Sequence, residues 1–186
     1  MNELLKQIKK EYETLWGKAS REIKPDISAD ILKDFPELKI LEFPPSRLHK
    51  TWIYATLGMS SIAANKDELP EVHIYASDKS SDSIAAITSL MEYSLYQPLK
   101  FGTIFSCFKD NKNHSGCAYI ALAYPECDGA GFKEIFFDKK EVLFIWLLPI
   151  TYNEKKLIED KGLEALEDKL FEKSITDYSW DRKSLV

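Results

Sequence analysis

Leu4, Leu5, Ile8, Tyr12, Leu15 and Trp16 recur at helical spacing, with lysines and glutamates filling the positions between them. The pattern predicts an N-terminal amphipathic helix within residues 1–18, stopped at Gly17. Residues 20–36 are polar, with one short helical turn expected over Ala29–Phe35. The pattern then changes to that of strands. Lys39–Phe43 ends at Pro44-Pro45, which cannot continue a ladder. Thr51–Leu57 is β-branched and aromatic and closes at Gly58. Glu71–Tyr75 follows a polar loop that ends at Pro70.

Ser81 or Asp82 stands where a second helix would be capped, and Pro98 stops it. Its buried stripe would be Ile84, Ile87, Leu90, Met91 and Leu95. Three strand candidates come next: Phe101–Phe108, Ala118–Tyr124 and Glu134–Phe137. The last two flank a turn-rich loop at Pro125–Gly131. Val142–Ile150 is nearly all apolar, as expected of a central strand covered on both faces. Thr151 and Glu154 fit a capping box. The helix they open would bury Leu157, Ile158, Leu163, Leu166, Leu170 and Phe171, and Gly162 divides it in two.

The order helix, strands, helix, strands, helix predicts an α/β (α+β) fold. We expect a single domain over residues 1–186, with a mixed, mostly antiparallel central sheet packed by helices.

Composition narrows the function classes. The 186 residues are 45% hydrophobic and 30% charged, the balance of a soluble globular chain. A net charge of -5 with no basic patch excludes general nucleic-acid binding, which draws its affinity from Lys and Arg on phosphates. The Val142–Ile150 run is too short to span a bilayer, and the amino terminus lacks a signal-peptide pattern. Cys107, Cys117 and Cys127 are odd in number and form no CxxC pair, which suits a reducing compartment. A cytoplasmic protein is expected. The 10 Phe, 9 Tyr and 4 Trp would suit a binding face, although a large core accounts for them equally well.

Gly58-Met59-Ser60-Ser61-Ile62 resembles a nucleophile elbow, but Ile62 stands where the second glycine must relieve crowding. Glu71 and His73 lie two apart on a strand and share a face. With Ser60 they would make a small serine hydrolase, provided hydroxyl and imidazole come within hydrogen-bond reach. The alternative is a polar pair bonded to neighbouring backbone. Cys107, His114, Cys117 and Cys127 match no compact zinc spacing, and Glu126 and Asp128 lack the ligand density of a calcium loop. No phosphate loop is present. We expect no cofactor, no metal and no enzyme.

Several segments, taken in order, resemble the suppressor-of-fused-like family. Thr51–Ser60, which contains Thr56, Gly58 and Ser60, is similar to its aromatic strand and "T-x-G-L/M-S" turn. Glu71-Val72-His73-Ile74 resembles the strand that follows. Pro149-Ile150-Thr151-Tyr152-Asn153-Glu154 resembles its "P-I/L-T-x-x-E" junction. Residues 162–170 and the closing Asp181-Arg182-Lys183-Ser184-Leu185-Val186 resemble its last helix and tail. The chain departs at Lys100–Ile104, where such proteins often carry a "G-x-H" strand. The resemblance covers residues 38 to 186 and implies protein recognition rather than catalysis. It further implies a small bacterial immunity protein that occludes a cognate toxin, with a basic toxin domain as one candidate partner. An adaptor unrelated to toxins is the alternative. Tyr124, Glu126 and Asp128, in the loop between strands, are the candidate contact residues.

Overall fold

The computed structural model describes residues 3–63, 69–107, 116–125, 131–173 and 178–186. The amphipathic stripe becomes α1 (Glu3–Trp16), followed by β1 (Arg21–Ile23), α2 (Ala29–Asp34), β2 (Lys39–Phe43), β3 (Trp52–Leu57) and α3 (Met59–Ile62). Next come β4 (Leu69–Ala76), α4 (Ser81–Ser94), β5 (Ile104–Ser106), β6 (Tyr119–Ala123) and β7 (Phe136–Phe137). The chain continues through β8 (Lys140–Ile150), α5 (Tyr152–Lys161) and α6 (Glu164–Lys173). The strands form one sheet in the order β1-β2-β3-β4-β8-β6-β5, with β7 pairing beside β8.

The sheet is mixed. The pairing of β4 with β8 is parallel, from Leu69↔Val142 to His73↔Trp146, and every other pairing is antiparallel. Strand β8 lies between β4 and β6, so its apolar run is covered on both faces, as the sequence predicts. On one face α1 contributes Leu4, Leu5, Ile8, Tyr12 and Trp16, and α5 and α6 contribute Ile158, Leu166 and Leu170. On the other, α4 seats Ile87, Leu90 and Met91 against Tyr54, Ile74, Ile120 and Ile145. Two helical layers therefore enclose the sheet.

Several boundaries differ from the sequence expectation. Ser80, not Ser81 or Asp82, caps α4, its hydroxyl accepting the Ser83 N–H. Strand β4 begins earlier than expected and takes in Pro70. That is tolerated because β3 pairs with it only as far as His73, so Pro70 has β8 as its one ladder neighbour. Strand β5 is shorter than Phe101–Phe108: Phe101-Gly102 form a turn, Gly102 at φ +79, and Phe108 lies outside the described residues. Strand β7 keeps two residues, joined to β8 by Asp138-Lys139, both at positive φ as a tight hairpin requires. Ile84 and Leu95 are partly rather than fully buried. Phe171 is 88% exposed and is not core. Leu163, Leu166 and Leu170 complete the buried stripe of α6, and Phe171 stands one residue, about 100°, beyond it. Gly162 at φ +87 does separate α5 from α6.

The C-terminal segment crosses the end of the sheet where β4 and β8 finish. The Tyr178 N–H donates to Ser77 Oγ (3.1 Å), and Tyr178 packs with the α1-side core. Trp180 packs with the α4-side core, donates its indole N–H to Ser83 Oγ (3.2 Å) and accepts the Cys117 N–H (2.6 Å). Gly116 permits this approach, because a Cβ there would lie 2.3 Å from the Trp180 carbonyl oxygen.

Candidate functional site

The residues that the sequence singles out fall into two buried nodes and one surface position. The first node is built on Glu71, at the start of β4 and fully buried. Its Oε1 accepts the Gly58 N–H (3.0 Å), the Ser60 N–H (3.2 Å) and the Ser60 hydroxyl (2.8 Å). Its Oε2 accepts the Thr56 hydroxyl (2.6 Å). Thr56 Oγ1 in turn accepts the Val72 N–H (2.9 Å), standing in for a ladder carbonyl where the β3–β4 register ends. Gly58 at φ +98 reverses the chain between β3 and α3, a conformation that side chains rarely adopt. Burial raises the Glu71 carboxyl above its ordinary pKa, and these four donors pull it back. Tyr12, which the sequence places only in the apolar stripe of α1, also lies beside this node. Burial and then the nearby Glu71 charge push its phenol well above 10, with Thr56 opposing.

His73 is also fully buried, with its ring 5.4 Å from Trp16, 5.6 Å from Tyr75 and 5.2 Å from Phe132. The serine hydrolase arrangement is therefore not formed. The Ser60 hydroxyl directs its one proton at Glu71, and Ser60, Glu71 and His73 are all sealed from substrate. The polar reading of Glu71, bonded to the neighbouring turn, is the one observed.

The second node is Glu154, in the first turn of α5. Arg182 clasps it with two bonds, Nη1 to Oε1 (2.7 Å) and Nη2 to Oε2 (2.9 Å). Arg182 Nη2 also donates to the Pro149 carbonyl (2.7 Å), and the Leu185 N–H donates to Glu154 Oε1 (2.9 Å). The expected capping box is complete: Glu154 Oε2 accepts the Thr151 N–H, and Thr151 Oγ1 accepts the Glu154 N–H. The Thr151 hydroxyl further reaches Ser184 Oγ (3.0 Å). Both motifs thus serve the fold, one as a strand-to-helix turn and the other as a tie for the tail.

What remains for contact with other molecules lies on the surface. Tyr124 is 43% exposed at the end of β6, and its ring stacks on Phe101 with centroids 3.9 Å apart. Phe105, four residues further on in the same segment, meets Tyr93 of α4 edge to face at 4.8 Å. Tyr96, 76% exposed, follows at the end of α4. Both ring pairs thus bear on the segment that leads into and forms β5, the last strand of the sheet. Glu126 and Asp128, proposed from sequence beside Tyr124, lie outside the described residues, as do His114 and Cys127. The Phe101–Tyr124 stack does not follow from a strand over Phe101–Phe108, because Phe101 lies in a turn. Among the described residues no group of three or more His, Cys, Asp or Glu side chains is placed to hold a metal ion. No helix among them is long and apolar enough to cross a membrane.

The family model described as Suppressor of fused protein matches residues 34–180. A search of curated proteins finds no match. Among solved structures, a suppressor of fused homologue from Neisseria gonorrhoeae FA 1090 superposes with a TM-score of 0.73 at 21% identity. That match covers 100% of this chain and 96% of the other. A crystal structure of a Sufu–Fu complex matches with a TM-score of 0.61 at 11% identity, over 97% of this chain and 91% of that one. Drosophila Suppressor of Fused matches at 0.52 and 11% identity, over 80% of this chain and 42% of its own. These likenesses establish the mixed-sheet fold.

Proposed function

The chain belongs to the suppressor of fused family, and from that premise we propose that it is a non-enzymatic protein-binding module. It acts in the cytoplasm by covering a partner, and the partner is a toxin domain that it neutralises. The observation that carries this reading is the exposure of three tyrosines, Tyr93, Tyr96 and Tyr124. Two of them are backed by rings of the β5 segment, Phe105 behind Tyr93 and Phe101 behind Tyr124. Tyrosines with an apolar body and a polar tip are the anchors that interfaces favour, because they desolvate a large area at little conformational cost. The buried polar nodes support the same reading, since their hydrogen-bonding groups are turned inward to the fold. A solved neighbour of this fold is a Sufu–Fu complex, which adds weight to a protein partner.

The test is co-purification of the full chain from its native cells, followed by affinity measurement with the purified partner. Tyr96→Ala with Tyr124→Ala should weaken that complex by about 2 kcal/mol, roughly thirtyfold in Kd. A folded double variant with unchanged Kd removes these tyrosines from the interface. A partner whose own activity is harmless to cells, and unaffected by binding, replaces the immunity role with that of an adaptor.

A further inference from the structure

We infer that the cleft between α4 and β5 receives one large apolar side chain of the partner, from a segment in which lysine or arginine flanks that side chain. The inference rests on the protein-binding reading and specifies the chemistry of what is bound. Helix α4 lies over β3 and β4 and leaves a gap of about 160 Å³ above the sheet margin. An apolar cavity of about 150 Å³ holds a benzene ring, so this space matches one aromatic or leucine-sized side chain.

The α4 wall is kept low by Ala85, Ala86 and Ser89, while Leu90, Phe105 and Ile120 make the floor. Cys107 adds an apolar edge, since burial pushes its thiol up to about 12 and keeps it protonated. Phe105 lines the cleft and also meets Tyr93, so the cleft adjoins that exposed tyrosine.

Charge selects the flanks of the incoming segment. Asp82 and Trp180 line the cleft and also line a neighbouring crevice that holds Asp78 and Asp181. All three aspartates are exposed. Among the described residues, Lys79 also lines that crevice but pairs with Glu42 (3.2 Å), and Arg182 pairs with Glu154. An acidic mouth on an apolar cleft favours a hydrophobic residue with basic neighbours.

The probes are three capped tripeptides, acetyl-Lys-Phe-Lys-amide, acetyl-Glu-Phe-Glu-amide and acetyl-Lys-Ala-Lys-amide, titrated into the isotope-labelled full chain. The Lys-Phe-Lys peptide should shift the Trp180 indole N–H and the Ala85, Ala86 and Ser89 amides saturably, with a Kd on the order of 1 mM. The Glu-Phe-Glu peptide should bind about fivefold more weakly, and Asp82→Lys should shrink that difference. Ala86→Trp should abolish binding by filling the cleft. Ser89→Trp, at the exposed lip, makes the same test if the first variant fails to fold.

The inference is overturned if Lys-Phe-Lys leaves those signals unmoved at about ten times that concentration. It is equally overturned if Lys-Ala-Lys or Glu-Phe-Glu binds as well, or if a folded tryptophan variant binds unchanged. Such results would leave partner capture through Tyr96 and Tyr124 standing. Loss of that capture with peptide binding intact would instead remove the proposed function.

Discussion

Glu71 and Glu154 are both fully buried, and each carboxylate serves a strand-to-helix junction. Glu71 reaches from β4 across to the β3–α3 turn and Glu154 lies within the first turn of α5, yet their surroundings differ in kind. Glu154 meets a guanidinium in a two-bond clasp, so its charge is matched by an opposite charge inside the protein. Glu71 meets hydroxyls and backbone amides, and among the described residues no cation bonds it. Dipoles compensate a buried charge less completely than a counter-ion does, and the Glu71 carboxyl is accordingly raised by desolvation. The donors around Glu71 come from one local turn, and its work is local. Arg182 comes from the tail, so the Glu154 node joins distant parts of the chain. A salt bridge in this molecule is thus a fastener, and a neutral cradle is a shaping device.

The largest effect should come from breaking the clasp on one side. Arg182→Ala leaves Glu154 buried without its counter-ion and should cost about 3–5 kcal/mol in urea unfolding. Replacing both partners by leucine should cost less than the single change. If it costs more, the pair contributes attraction beyond its own desolvation.

At the other node, Glu71→Ala orphans two buried N–H groups and two hydroxyls and should cost about 2–3 kcal/mol. Glu71→Gln keeps an acceptor for the Gly58 and Ser60 amides and should stay within about 1 kcal/mol of the parent. The two also separate by pH. A carboxyl raised in the folded state holds its proton after the unfolded chain has lost it. The Glu71 contribution therefore declines as pH rises from its ordinary value of 4.5 through the raised one. Unfolding measured across that range should show the parent losing stability relative to Glu71→Gln; parallel curves would mean that desolvation does not dominate.

Smaller still is Tyr12→Phe. The Tyr12 hydroxyl is buried beside Thr56 and Glu71, but no hydrogen bond of ordinary geometry completes it among the described residues. Its removal should change stability by less than about 0.5 kcal/mol. Glu22 is an exposed carboxylate, held at about 2 by Lys39 and Lys9. Glu22→Gln should cost no more than about 1 kcal/mol, less in high salt, and only above the pH window of about 2 to 4.5 in which that contribution is lost.

Much of the architecture was legible because it rests on periodicity. The α1 stripe, the apolar run of β8 and the Thr151–Glu154 capping box each state their structure within a few residues. The Thr56–Ser60 and Glu71 segments were recognisable as motifs, but their joining was not. That Thr56 Oγ1 would replace a backbone acceptor depends on where the β3–β4 register ends, which is a tertiary fact. The Phe101–Tyr124 stack was hidden for the same reason, since a turn at Gly102 places one ring on another from the next strand. Arg182 lay in a recognised tail motif, yet only the assembled sheet brings it to Glu154. Phe171 falls outside the buried stripe, whose width helical spacing alone does not state.

The parallel pairing of β4 with β8 has a consequence for the order of folding. Strands β1 to β4 can zip as neighbours in sequence, each closing a short loop. The register that sets Leu69 against Val142 must instead close a loop through α4, β5, β6 and β7, at a higher cost in chain entropy. Arg182 can meet Glu154 and Pro149 only after β8 is in place. The clasp therefore belongs on the native side of the rate-limiting step, so Arg182→Ala should speed unfolding while leaving refolding nearly unchanged.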